Sequence, residues 1–156
     1  MTELSENIID LTSYPKRYVG DATSPFRYPG GKGFLTPYLS EQIRSRYDHN
    51  NVSFAEPFCG GAGSALNLLS DGCVEKVYLN DADFRIFSAW KAILHETDRF
   101  IDQLHSITPS IESWEQCLQT LHERPKALYS FDVGFSAFFI NPVSYTHLRA
   151  HETSLH

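Results

Sequence analysis

Gly60, Gly61 and Gly63 separate a short β-prone run at Val52 to Ala55 from a helical stretch at Ser64 to Ser70, and this juncture constrains the fold more than any other part of the chain. A Cβ at such positions would block both a positive-φ turn and the approach of a ligand to backbone N–H groups. The next β-prone run, Val74 to Leu79, ends on Asn80 and Asp81. The order strand, glycine turn, helix, strand predicts an α/β fold with a carboxylate at the C-terminal edge of the second strand. In open α/β sheets an acid about 20 residues after the glycines accepts hydrogen bonds from a ribose diol.

The spacing discriminates between nucleotide ligands. A dinucleotide site wants G-x-G-x-x-G, but from Gly61 the chain reads Gly61, Ala62, Gly63, Ser64, Ala65, Leu66, without the third glycine. A phosphate loop wants G-x-x-x-x-G-K-[ST], whereas Gly31-Lys32 is followed by Gly33 and preceded five positions earlier by Phe26. S-adenosylmethionine fits better, since it carries adenine and ribose but no phosphates. Its carboxylate suits a cation such as Lys32, and Tyr28 is placed to cover the sulfonium by cation–π contact.

The motifs resemble those of DNA adenine-N6 methyltransferases of the Dam type, the D12 class. P-F-R-Y-P-G-G-K at Pro25 to Lys32 is similar to the family's opening motif, F-A-E-P-F-C-G-G-A-G-S at Phe54 to Ser64 resembles its glycine loop, and L-N-D at Leu79 to Asp81 its ribose-binding acid. A-F-F-I-N at Ala137 to Asn141 is similar to a further segment, usually F-F-x-N-R. The resemblance implies a Rossmann-like, S-adenosylmethionine-dependent methyltransferase fold, here incomplete, with the first strands and helices only. It also implies cofactor contacts at Tyr28, Lys32 and Asp81, with Glu56, Phe58, Gly60, Gly61 and Gly63 lining the loop. The implied reaction is methyl transfer to adenine N6 in double-stranded DNA. Each residue has a plainer role as well: Gly30 and Gly31 an ordinary turn, Asp81 a cap for the helix beginning near Asp83, Lys32 a solvated charge, Tyr28 a packing residue. Their occurrence together in family order favours the cofactor.

Composition sets milder bounds. No run approaches the roughly 18 apolar residues of a membrane span, and the start M-T-E-L-S-E-N lacks the basic and apolar regions of a signal peptide, so a cytoplasmic protein is expected. Cys59, Cys73 and Cys117 form no C-x-x-C pair and have no His at ligand spacing, which predicts free thiols and no metal. A net charge of −6 provides little for phosphate neutralisation: either the basic surface lies elsewhere or the DNA reading is wrong.

Apolar periodicity predicts a helix from Leu35 to Tyr47, with Leu35, Leu39, Ile43 and Tyr47 on a stripe facing the sheet and Pro37 tolerated in the first turn. Further helices are expected at Asp83 to His95, with Trp90 in the core, at Thr97 to His105, and at Ser110 to His122 with Ser110 as N-cap. The expected layout is an N-terminal extension over 1–23, the cofactor-binding part over 24–106, the start of a helical target-recognition region over 107–141, and a non-native tail over 142–156.

The tail rests on a second resemblance. Val143 to Thr153, V-S-Y-T-H-L-R-A-H-E-T, is similar to one reading frame of a transposase adapter used in sequencing libraries, and the junction falls at Pro142, where the family pattern has Arg. With little apolar periodicity, this stretch is expected to stay disordered or to pack poorly. The family's catalytic D-P-P-Y occurs nowhere in the sequence, so the chain itself is expected to transfer no methyl group. Two other classes remain open: a module that binds S-adenosylmethionine without DNA chemistry, and a Rossmann-type oxidoreductase. A restriction system, a phage and a housekeeping pathway all remain open as the parent's setting.

Overall fold

The structure is a computed structural model describing residues 9–10, 24–26, 31–47, 51–122 and 127–152, with side chains described from 24 to 141 within those ranges. Two compact units divide the chain, Met1–Ala82 and Asp83–His156.

The first unit is built on a three-stranded sheet in the order β1 (Ile9–Asp10), β3 (Lys76–Leu79), β2 (Ser53–Glu56). β2 runs parallel to β3, pairing Ser53 with Lys76 and Glu56 with Leu79, and β1 is antiparallel to β3. Parallel strands need a crossover, here the loop and α2 (Gly63–Ser70). Val77 and Leu79 of β3 are fully buried, as are Ala65 and Leu68 of α2, so the helix and the central strand share one core. α2 stops on Gly72 at φ 63, with Gly72 N–H bonding Leu69 O at 3.1 Å and Cys73 N–H bonding Leu68 O at 2.9 Å. These two bonds form a Schellman motif, which requires a left-handed residue that glycine adopts without a Cβ penalty.

The helix expected over Leu35 to Tyr47 is split. A 3-10 turn (Lys32–Leu35) leads into α1 (Thr36–Arg46), and Tyr47 leaves the helix in an extended conformation with its ring exposed. Of the expected stripe only Ile43 is buried, and α1 packs chiefly on α2 and the 3-10 turn instead of on the sheet. The physical reason is polar contact along that flank: Asn67 of α2 reaches Thr36 Oγ1 at 3.5 Å, and Ser40 Oγ lies 3.5 Å from Cys73 Sγ.

The second unit is helical: α3 (Phe84–His95), α4 (Thr97–Ser106), α5 (Ile111–His122) and α6 (Phe131–Glu152). Asp83 caps α3 by accepting from Arg85 N–H at 2.9 Å, and Ser110 caps α5 by accepting from Ser113 N–H at 3.1 Å, each satisfying a first-turn donor. Trp90 is buried in α3, as expected. Phe100, Phe131 and Phe135 form an aromatic core with Ala92, and Phe100 meets Phe135 edge-on at 5.4 Å between ring centres. α3 and α6 touch at Gly134, where a Cβ would fall 2.7 Å from Ala89 N and closer still to the Ser88 carbonyl.

Of the two outcomes expected after Asn141, disorder is corrected, since the backbone of α6 runs through Pro142 to Glu152, while the packing of those side chains lies outside the described residues. Extending a helix already anchored at Phe131 and Phe135 avoids the cost of nucleation, and Leu148, Arg149, Ala150 and Glu152 are all compatible with it.

Gly134→Ala is expected to destabilise the chain by about 1–3 kcal/mol, because the obstacle is backbone on a packed helix and cannot rotate away. Urea unfolding followed by circular dichroism measures this. An unchanged midpoint would mean that the two helices separate freely.

Candidate functional site

The site lies at the C-terminal ends of the parallel strands in the first unit, where successive hydrogen bonds fix the two chain reversals together. Asn80 N–H bonds Glu56 O at 3.1 Å, Cys59 N–H bonds Asn80 O at 2.9 Å, and Asn80 Nδ2 reaches Pro57 O at 3.3 Å. Asp81 then accepts from Gly60 N–H through Oδ2 at 2.8 Å. Gly60 has a φ of 49, the left-handed turn expected of it, and Ala62 adopts φ 52 while fully buried. Only the smallest side chain with a Cβ fits that packed, left-handed position, and the conformation costs about 1–2 kcal/mol relative to a right-handed one.

Around this loop is a cavity of about 390 Å³, within the roughly 300–1,000 Å³ typical of small-molecule pockets. Its walls are Ser24 and Phe26 on one side, Gly31 and Lys32 on another, the loop from Phe58 to Gly63, and Asp81. Gly61 serves the approach of the protein's own chain. A Cβ there would stand 2.6 Å from Ser24 Oγ and 3.2 Å from Phe26 O, in a segment held by the Ser24 hydroxyl donating to Phe26 O at 2.9 Å.

Lys32, itself part of this wall, pairs with Glu56 beside the cavity. Lys32 Nζ donates to Phe58 O at 2.6 Å and reaches Glu56 Oε1 at 3.4 Å, and Ser64 Oγ donates to Lys32 O at 2.5 Å. The Glu56 side chain is 7% exposed against 46% for Lys32, and Glu56 Oε2 is buried without a hydrogen-bond partner. Desolvation raises the Glu56 carboxyl above its ordinary value, partly offset by the Lys32 charge and the facing Ala65 N–H, with the Asp81 charge adding to the rise. Burial, aided by the Asp81 and Glu56 charges, pushes the Cys59 thiol up to about 12. Cys59 is therefore no thiolate nucleophile near neutral pH.

Of the residues singled out in the sequence, Lys32, Phe58, Gly60, Gly61, Gly63 and Asp81 line one cavity, with Glu56 bonded to Lys32 beside it. Tyr28 lies outside the described residues. Ser24, Phe26, Cys59 and Ala62 also line the cavity, and Ser64 anchors it. Their signal was their place inside the two motifs, which does not reveal which way a side chain faces. Among the described residues no group of three His, Cys, Asp or Glu is arranged to hold a metal, and no helix is long and apolar enough to cross a membrane.

A family model described as D12 class N6 adenine-specific DNA methyltransferase matches residues 28–126. The chain is similar to the Type II methyltransferase M.MjaIII of Methanocaldococcus jannaschii, 26% identical over 94 residues, which cover 59% of this chain and 32% of the relative. The chain thus spans about a third of that curated relative's length. No solved structure matches.

Gly61→Ala is expected to cost about 1–3 kcal/mol in urea unfolding, and adding Ser24→Ala should recover only part of it, because the Phe26 carbonyl stays in place. Full recovery would show that Ser24 alone sets the approach. For Glu56, the folded chain holds the proton more tightly than the unfolded chain, so its contribution to stability is complete below the ordinary glutamate range and is lost as pH rises through the raised value. The melting temperature of Glu56→Gln relative to the unsubstituted chain should therefore climb as pH rises from the ordinary glutamate value, about 4.3, through the raised one. A flat difference would place the carboxyl in solvent.

Proposed function

The chain belongs to the D12 class of N6 adenine-specific DNA methyltransferases, and from that premise we propose that it forms the cofactor-binding part of a Rossmann-like enzyme that methylates adenine N6 in double-stranded DNA. The observation that carries the reading is the meeting of Asp81 with the Gly60–Gly63 loop at one cavity beyond the ends of two parallel strands. Ligands of open α/β sheets occupy that position.

The residues suit S-adenosylmethionine chemically. A carboxylate oxygen has two lone pairs, so Asp81 can hold Gly60 N–H and still accept from a ribose diol. Glu56 Oε2, a buried acceptor lacking a hydrogen bond, suits the ammonium of an amino-acid moiety. Phe58, two-thirds exposed at the cavity mouth, offers a flat face to a planar ring. Tyr28 is assigned the cofactor contact that the family resemblance implies. When bound, the cofactor supplies an electrophilic methyl group; the chain's own residues bind and orient it.

The proposed layout assigns 24–106 to cofactor binding, 107–141 to the start of the target-recognition region and 142–156 to a non-native tail. Because D-P-P-Y is absent from the sequence, the groups that would grip a flipped adenine are missing, and we assign this chain no transfer of its own. A second reading is a module that binds the cofactor without DNA chemistry; continuing the reading frame in the source DNA separates the two, since D-P-P-Y downstream supports the enzyme and its absence there supports the module.

Calorimetry should detect S-adenosylmethionine binding and none of nicotinamide dinucleotides. Asp81→Ala should weaken binding by about 1.5–3 kcal/mol, and Asp81→Asn by less, since the amide oxygen can still receive Gly60 N–H. Preference for a dinucleotide would sink the methyltransferase reading. Labelled-methyl transfer to adenine-containing duplex by the purified chain, above a no-protein control, would overturn the assignment of no activity.

A further inference from the structure

We propose that Lys32 is a positioning residue that acts on the ligand through Glu56, and that the buried hydroxyl of Ser64 holds it in place. The inference rests on the cofactor reading above and deepens it, by giving roles to a pair and an anchor that a simple contact list would treat as independent.

The anchor comes first. The 3-10 turn that begins at Lys32 has no side-chain cap at Gly31, so its placement depends on other contacts. Ser64, in the first turn of α2 and 1% exposed, donates to the Lys32 main-chain carbonyl at 2.5 Å. Gly33 packs over Gly63, where a Cβ would lie 3.6 Å from Gly33 Cα. These contacts fix the Lys32 backbone against the start of α2.

From that fixed point the side chain has a defined reach. Its ammonium donates to Phe58 O at 2.6 Å, just past the end of β2, and it stands 3.4 Å from Glu56 Oε1. An ammonium in that position already serves one carbonyl and one carboxylate. Its charge matters most to the partner that is least exposed, and that partner is Glu56.

The surroundings of Glu56 show why it needs Lys32. Lys32 brings the positive charge, Asp81 brings a negative one, the Cys59 thiol stays neutral, and the Ala65 amide faces the carboxylate from α2. Burial opposes ionisation. Without Lys32 the carboxyl loses the positive charge that offsets burial and holds its proton more tightly, and a protonated carboxyl is a poor acceptor for an ammonium. Lys32 thus sets how Glu56 meets the ligand, and Ser64 sets Lys32.

The test uses the full chain and two readouts. In the ligand-free protein, the pH titration of the Glu56 carboxyl carbon is followed by NMR for the unsubstituted chain, Lys32→Met, Lys32→Arg and Ser64→Ala. Lys32→Met should raise the midpoint by about one pH unit or more, Ser64→Ala by less, and Lys32→Arg should leave it close to the original. In calorimetry with S-adenosylmethionine, the ratio of variant to unsubstituted affinity cancels the ligand's own titration. For Lys32→Met that ratio should fall about tenfold at pH below the variant's Glu56 midpoint and recover as pH rises past it. A loss independent of pH would mean that Lys32 touches the ligand directly, and an unmoved Glu56 midpoint in Lys32→Met and Ser64→Ala would overturn the relay. If the unsubstituted chain binds no S-adenosylmethionine, the cofactor reading fails on its own, and the Glu56 midpoint alone decides whether Lys32 and Ser64 control that carboxyl.

Discussion

The bond from Gly60 N–H to Asp81 Oδ2 spans the gap between the two strand ends, and the geometry of the glycine loop follows from it. With Gly60 held against β3, the chain can reverse through a left-handed residue, bury Ala62 and open α2 at Gly63. The same reversal brings Gly61 under Ser24 and Phe26, and Ser64 under Lys32. Each later contact uses a backbone position that the earlier one has fixed. Asp81 is therefore as much a structural acceptor as a candidate ligand group, and the two roles use one carboxylate.

The β2–α2–β3 unit was legible in the sequence because its signals are local: β-prone runs of ordinary strand length, glycines between strand and helix, and an acid at the next strand end. Ser110 announced its helix for the same reason, whereas α3 is capped by Asp83 and not by Asp81, the cap its plainer role suggested. What stayed hidden depends on partners distant in sequence. Gly134 is unremarkable until Ser88 of α3 lies against it, and Gly72 ends α2 through a bond pattern that helical periodicity does not register. Tyr47 fits the apolar stripe by spacing, yet the helix ends one residue before it. Within the site, the motifs gave the residues but not their directions, so Lys32 and Glu56 could be named without being seen as a pair.

Glu56 concentrates a conflict between stability and recognition. Burying a carboxylate with one oxygen bonded and the other unmet costs free energy that an apolar residue would avoid. Such a cost persists where a ligand completes the missing bond, since the ligand then meets an acceptor already stripped of water. The chain's acidity adds to the burden: Asp81 stands near enough to oppose ionisation, and Lys32 provides the compensating charge. Under the proposed reading, a ligand that brings a cation of its own would meet this acceptor.

The aromatic core of the helical unit has a temporal consequence. Phe100 finds its partners in Phe131 and Phe135, and α3 settles only when Gly134 lies against Ser88. During synthesis from the N-terminus, α3, α4 and α5 leave the ribosome with their apolar faces uncovered, and they must wait for the start of α6 before a core exists. The strand-loop-helix-strand segment, whose contacts are shorter in sequence, has everything it needs much sooner. Interruption of translation before Phe131 would thus release a chain with a formed glycine loop and an open, sticky set of helices, a species suited to capture by chaperones.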